Sequence, residues 1–170
     1  IVAPLSTLKV VWGAELKAHL SHRQFAIITG TKKKRLDLLE TPGLQYAIIN
    51  HDGFTNMQEH LEDFDVVIYD EATALKSASS RRYKVFAKYM KNNQPWLWML
   101  TGTPISQTPA DAWTLARLVD SPSVARSFTA FKDTVMKKVT QFKWIPRDDA
   151  LETCKKVLQP SIRFSLDECT

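Results

Sequence analysis

Five short apolar runs, each followed by a polar or amphipathic stretch, constrain this chain more than any other feature. The runs are Ile1-Val2-Ala3, Gln24–Thr29, Leu44–Asn50, Asp65–Tyr69 and Trp96–Leu100. They are continuously apolar, as strands buried on both faces of a sheet are. The segments between them carry helical spacing. Ser6–Leu20 places Leu8, Val11, Trp12, Leu16 and Leu20 on one face, and Lys32–Glu40 turns Leu36 and Leu39 inward. Thr55 and Gln58 have the spacing of a capping box for a short helix through Leu61. Ser79–Met90 aligns Tyr83, Phe86, Ala87 and Met90. Alternation of this kind predicts an α/β fold, a parallel sheet with helices on both faces.

The alternation stops near Ser121. Thr108 before Pro109 reads as an N-cap followed by proline at the first helical position, opening a helix to about Val119. Further helices are expected over Phe128–Lys138 and Asp148–Leu158, the latter stopped by Pro160, with Thr140–Pro146 irregular or a short hairpin. We therefore expect a core over residues 1–120 and a helical appendage over 121–170. A chain of 170 residues, 44% hydrophobic and 24% charged, can bury a core and is not a disordered segment. No apolar run approaches the ~20 residues of a membrane helix. Cys154 and Cys169 are too few for a disulfide framework and suggest a reducing compartment. The net charge of +5 is compatible with a polyanionic partner without demonstrating one. The chain opens at Ile1 without an initiator methionine or basic leader, which reads as a piece of something longer.

Two segments carry chemistry. Val66-Val67-Ile68-Tyr69 ends in Asp70-Glu71, two carboxylates where open parallel sheets bind ligands, beyond the carboxyl ends of their strands. In nucleoside triphosphatases the first acid of such a pair holds Mg²⁺ and the second accepts a proton from the attacking water. Alone, the pair also reads as a solvated turn. Thr101-Gly102-Thr103 follows the next apolar run, with two hydroxyls around a glycine free to take a positive φ or a close approach. Alone, it also reads as an ordinary strand-to-helix loop.

Together the segments resemble a known family. Asp70-Glu71-Ala72-Thr73 resembles motif II of superfamily 2 helicases, the DEAD/DEAH-type box, and Leu100-Thr101-Gly102-Thr103-Pro104-Ile105 resembles motif III of their Swi/Snf branch. Ile1 to Leu8, with Trp12 following, is similar to that branch's motif Ia. Gly30 to Arg35 resembles the stretch after the next strand, Tyr46–Asn50 lies where motif Ib would be, and Lys76-Ser77 stands where the family often has Lys-Asn. The C-terminal part, with Trp144, Pro146 and Pro160-Ser161-Ile162-Arg163, matches more loosely, resembling the run toward the second motor lobe, particularly in phage and bacterial members. The chain departs from the pattern in two respects. Thr73 stands where many relatives carry His or Asp, and no G-x-x-x-x-G-K-[ST] phosphate loop occurs.

The resemblance implies the first RecA-like lobe of an ATPase that moves along duplex DNA, with a second RecA-like lobe and the phosphate loop elsewhere in a parent chain. It implies ATP and Mg²⁺ in that parent and neither bound by these residues alone. Asp70 would position Mg²⁺, Glu71 would activate water, and Thr101, Gly102 and Thr103 would sense the γ-phosphate. Ser6, Thr7, Lys32, Lys33 and Asn50 would lie along the DNA backbone. The setting would be the cytoplasm of a bacterial or phage-infected cell, or a eukaryotic nucleus. The alternative is a helicase-like fold that binds nucleic acid and has lost hydrolysis.

Plainer readings stand beside several of these residues. Ser6 and Thr7 fit helix N-caps. Lys32 to Arg35 fits a solvated first helical turn, although cations there oppose the helix dipole. Trp96 and Trp98 share one face of a strand and read as core under a helix. No histidine has ligand spacing with a cysteine, and Cys154 reads as packing.

Overall fold

The computed structural model describes residues 1–164 and Glu168, so Cys169 lies outside the described residues. The chain forms two compact units, residues 1–103 and 104–170. In the first, β1 (Val2–Ala3), β2 (Phe25–Ile28), β3 (Tyr46–Asn50), β4 (Val66–Tyr69) and β5 (Trp96–Met99) form one sheet in the order β2-β3-β1-β4-β5. All four strand pairings are parallel. The helices between them are α1 (Ala14–His19), α2 (Lys32–Leu39), α3 (His51–Met57) and α4 (Arg81–Asn93).

Strand order fixes which face each helix covers. The step from β1 to β2 runs one way across the sheet, and the three later steps run the other way. Right-handed crossovers therefore put α1 on one face and α2, α3 and α4 on the opposite one. The core follows this division. Ala3, Leu8, Leu16 and Ile48 pack on the α1 face. On the other, Phe86 of α4 meets Tyr69 of β4 and Phe54 of α3 at ring-centroid distances of 4.7 and 5.4 Å. Tyr89 reaches Leu61 O with its hydroxyl at 2.6 Å.

Several expectations are corrected. The tryptophans of β5 are not core: Trp96 is 76% and Trp98 62% exposed. Their register with Val66 and Ile68 puts them on the α1 face, and β5 is an edge strand that no helix of the first unit crosses on that side. Val11 faces outward, because Leu8–Gly13 is a π-helical segment leading into α1. Its wider i→i+5 turn brings Leu8 and Gly13 onto the buried face in place of Val11. Thr55 is not a cap either. The chain passes from β3 directly into α3 at His51, leaving Thr55 inside the helix with its hydroxyl donating to His51 O at 2.9 Å.

The second unit contains α5 (Ala112–Val119), α6 (Phe128–Val135), α7 (Ala150–Val157) and a hairpin of β6 (Met136–Lys138) and β7 (Trp144–Pro146). Thr108 and Asp111 form the capping box ahead of α5, with Pro109 at the start of that turn. The helix expected through Lys138 ends at Val135, where the chain becomes strand. Cys154 is buried with its thiol donating to Pro109 O, and burial pushes its pKa up to about 11, so it is a packing residue.

Candidate functional site

The carboxyl ends of β1, β3, β4 and β5 share one edge of the sheet, and the strand connections diverge between β1 and β4. At such a point loops part toward opposite faces, and open α/β sheets bind their ligands there. Asp70 stands at this point, half-buried at the end of β4, with its backbone N–H donating to Val2 O at 2.8 Å. One carboxylate oxygen accepts from Trp12 Nε1 at 2.9 Å and the other from the Glu71 backbone N–H at 3.0 Å. These bonds fix the direction of the carboxylate and leave lone pairs free on both oxygens.

Glu71 is exposed and held at φ 51, ψ 57, in the left-handed region. A non-glycine residue pays roughly 1–2 kcal/mol for that conformation. The turn turns the chain sharply from β4 into the helical turn at Ala72–Leu75. Ala72 N–H then donates to Leu100 O at 2.9 Å, and Leu100 N–H donates to Tyr69 O at 2.9 Å. The loops bearing Asp70-Glu71 and Thr101-Gly102-Thr103 are thereby bonded side by side. Within the second loop Thr103 N–H donates to Thr101 Oγ1 at 3.2 Å. Gly102 is exposed, has no positive φ, and a Cβ there would meet nothing within 4 Å, so the expected backbone requirement for glycine is absent.

The residues expected on a DNA backbone lie on this same unit. Lys32 and Lys33 are exposed in the first turn of α2, which Thr31 caps by accepting from Lys34 N–H. Asn50 ends β3 and makes no cap hydrogen bond. A Cβ on Gly53 would lie 2.6 Å from both Arg35 Nη1 and Asn50 Oδ1, so the side chains of α2 and of the end of β3 converge closely on this glycine and would have to shift for a larger residue. Ser6 is exposed, while Thr7 donates its hydroxyl to Pro4 O at 3.0 Å. Thr7 accepts no cap bond, so its N-cap reading fails and its hydroxyl proton is already committed.

Two residues at the site escaped the sequence reading. Trp12 orients Asp70 from the π-helical segment. His51 is buried, stacks on Tyr69 at 5.0 Å, and donates Nε2–H to the Asp70 carbonyl at 2.9 Å. The signal for His51 was available, since it directly follows an apolar run that ends at the same sheet edge. Burial holds its pKa below the ordinary value, against the Asp70 hydrogen bond. The folded state thus favours neutral imidazole, and stability from His51 is present above about pH 6.5 and lost as pH falls toward the folded pKa. Urea midpoints at pH 7.5 and 5.5 should show wild type losing more stability on acidification than His51→Gln. Equal losses would contradict this.

Comparison with known proteins adds three findings. A family model described as SNF2-related domain matches residues 1–164. Chromatin-remodeling ATPase INO80 from Homo sapiens is 36% identical over 73 residues, which is 43% of this chain and 4% of that protein. The protein of that name from Pyricularia oryzae is 26% identical over 176 residues, covering 94% of this chain and 9% of the relative. This chain thus spans less than a tenth of either relative's length. A solved structure, the Sulfolobus solfataricus SWI2/SNF2 ATPase core in complex with dsDNA, superposes with TM-score 0.62 at 24% identity. That match covers 78% of this chain and 26% of that one, and it identifies the fold as that of the core's RecA-like sheet.

Proposed function

The chain belongs to the SNF2-related domain family, and on that premise we propose that it forms part of the first RecA-like lobe of an ATP-driven translocase on duplex DNA. The observation that carries this reading is the Ala72 N–H to Leu100 O bond, which joins the acidic loop and the Thr-Gly-Thr loop at the ligand-binding edge of the sheet. In this reading Asp70, already oriented by Trp12, faces the metal of a nucleotide complex. Glu71 takes the proton of the attacking water, and Thr101 to Thr103 register the γ-phosphate.

The donor set is carboxylate and hydroxyl oxygen, which suits Mg²⁺ held by one or two carboxylates and the substrate's phosphates. Among the described residues no three His, Cys, Asp or Glu side chains form a metal cluster, so the cation would arrive with the nucleotide. Held by Asp70, it would supply positive charge against the phosphates of the nucleotide. The 170 residues contain no phosphate-loop sequence. The phosphate cradle and an arginine for the γ-phosphate would come from elsewhere in a longer two-lobed protein, and these residues alone would not turn over ATP. Among the described residues no helix is long and apolar enough to cross a membrane. A eukaryotic source would place the activity in the nucleus, a bacterial or phage source in the cytoplasm.

Ser6, Lys32, Lys33 and Asn50, with Thr7 as a hydrogen-bond acceptor or through its backbone, would follow the DNA backbone. The test is Lys32→Glu/Lys33→Glu in the full-length protein. Each neutralised phosphate contributes about 0.9 to the log–log salt slope on duplex DNA, so the slope should flatten by up to about 2 units. Affinity should fall alike on all sequences, since phosphate contacts carry no direct base readout. An unchanged affinity and slope would make the lysine run a solvated helix end.

A further inference from the structure

We propose that the β6–β7 hairpin is a second nucleic-acid contact, a two-stranded ribbon that enters a groove of duplex DNA with Phe142 at its tip and Lys137, Lys138 and Lys143 beside it. The inference deepens the DNA-binding reading and rests on it for the identity of the polyanion.

The hairpin is built to hold its shape. Met136 pairs with Pro146, Lys137 with Ile145 and Lys138 with Trp144. Its root is fixed by Arg147, whose backbone N–H donates to Val135 O and whose Nε donates to Asp133 O, each at 3.0 Å. Val135 and Met136 are buried there. The tip is ordered as well. Val139 N–H donates to Lys143 O at 2.9 Å, and Thr140 Oγ1 accepts from the backbone N–H groups of Phe142 and Lys143.

What this scaffold presents is unusual for a free surface. Phe142 is 88% exposed, and Val139 and Ile145 are exposed beside it. Between residues 135 and 147 the sequence has Lys137, Lys138, Lys143 and Arg147 and no acidic residue. Among the described residues none of the three lysines has an ion-pair partner. Lys132 Nζ lies 4.0 Å and Lys138 Nζ 6.0 Å from the Trp144 ring centroid, within the range of cation–π attraction.

An apolar tip among unpaired cations fits a polyanion that also offers apolar surface. Duplex DNA does so through its phosphates, base edges and thymine methyls. Two strands about 4.8 Å apart fit a major groove about 12 Å wide, which admits a β-ribbon. Gln141, exposed at the tip, carries an amide of the type that pairs with adenine edges. A bilayer would attract the lysines too, but insertion of Phe142 would carry the polar groups of Thr140 and Gln141 out of water.

The test uses the full-length protein and a labelled duplex of about 30 base pairs, titrated by anisotropy across a salt series. Lys137→Glu/Lys138→Glu/Lys143→Glu should weaken binding at least tenfold and flatten the salt slope by up to about 2.7 units. Phe142→Ala should weaken binding about fivefold with the slope unchanged, because it removes an apolar contact and no phosphate contact. Unchanged DNA binding in both variants overturns the proposal, as does loss of binding to phosphatidylserine vesicles in Phe142→Ala with DNA affinity intact. Lys32→Glu/Lys33→Glu separates the two readings. If it loses affinity and the hairpin variants do not, the first unit binds DNA and the hairpin proposal falls alone. If none of the variants loses affinity, both readings fall.

Discussion

Phe86→Ala lowers the unfolding free energy of the chain by about 3–5 kcal/mol, the usual cost of truncating a fully buried phenylalanine. Phe86 is 0% exposed and is the centre of the layer between the sheet and α4. Its ring packs at 66° to Tyr69 and at 59° to Phe54, and Phe54 in turn meets Tyr89 edge-on at 5.0 Å. Each aromatic pair adds about 0.5–1.5 kcal/mol to the burial itself. Domains are stable by only about 5–15 kcal/mol, so the loss is a large share of the total. The effect reaches the site, because Tyr69 immediately precedes Asp70 and stacks on His51. Lys84→Ala, exposed on the same helix, should shift stability by no more than about 0.5 kcal/mol. Urea unfolding of both variants checks this, and a loss below 1 kcal/mol for Phe86→Ala would remove the aromatic layer from the account.

Much of the first unit was legible because its strands are short, apolar and separated by segments with a helical period. All five strands lie within the runs that announced them, and Asp70 and Thr101 each follow a strand end as expected. Three features resist local reading. The exposure of Trp96 and Trp98 depends on β5 being an edge strand, and strand order is a long-range property that periodicity does not contain. The outward turn of Val11 depends on a π-helical register, which a 3.6-residue template cannot represent. The Trp12 and His51 bonds to Asp70 join residues 58 and 19 positions apart, so only the assembled sheet edge brings them together. The hairpin is half-legible: the sequence leaves Thr140–Pro146 open between an irregular segment and a short hairpin, while the helical pattern from Phe128 runs on through Met136–Lys138.

Glu71→Gln should abolish ATP turnover in the full-length protein while leaving nucleotide affinity within about threefold. Gln keeps the size of the side chain and its backbone preferences, so the left-handed turn at residue 71 and the Ala72 to Leu100 bond persist. What it loses is the ability to accept a proton, and a positioned general base contributes typically 10²–10⁴-fold. A loss confined to turnover is the signature of an interaction made in the transition state and not in substrate binding. Asp70→Asn should differ, weakening Mg²⁺-dependent nucleotide binding as well, because the role proposed for Asp70 needs its charge toward the cation. The measurement that bears most directly on the central claim is ATP hydrolysis by the full-length wild type and Glu71→Gln, each with and without duplex DNA. The account predicts wild-type turnover that rises when duplex is added and a fall of at least about 100-fold in the variant. Near-wild-type turnover in Glu71→Gln, or a wild type that hydrolyses no ATP with duplex present, would contradict it and leave a fold that binds nucleic acid without catalysis.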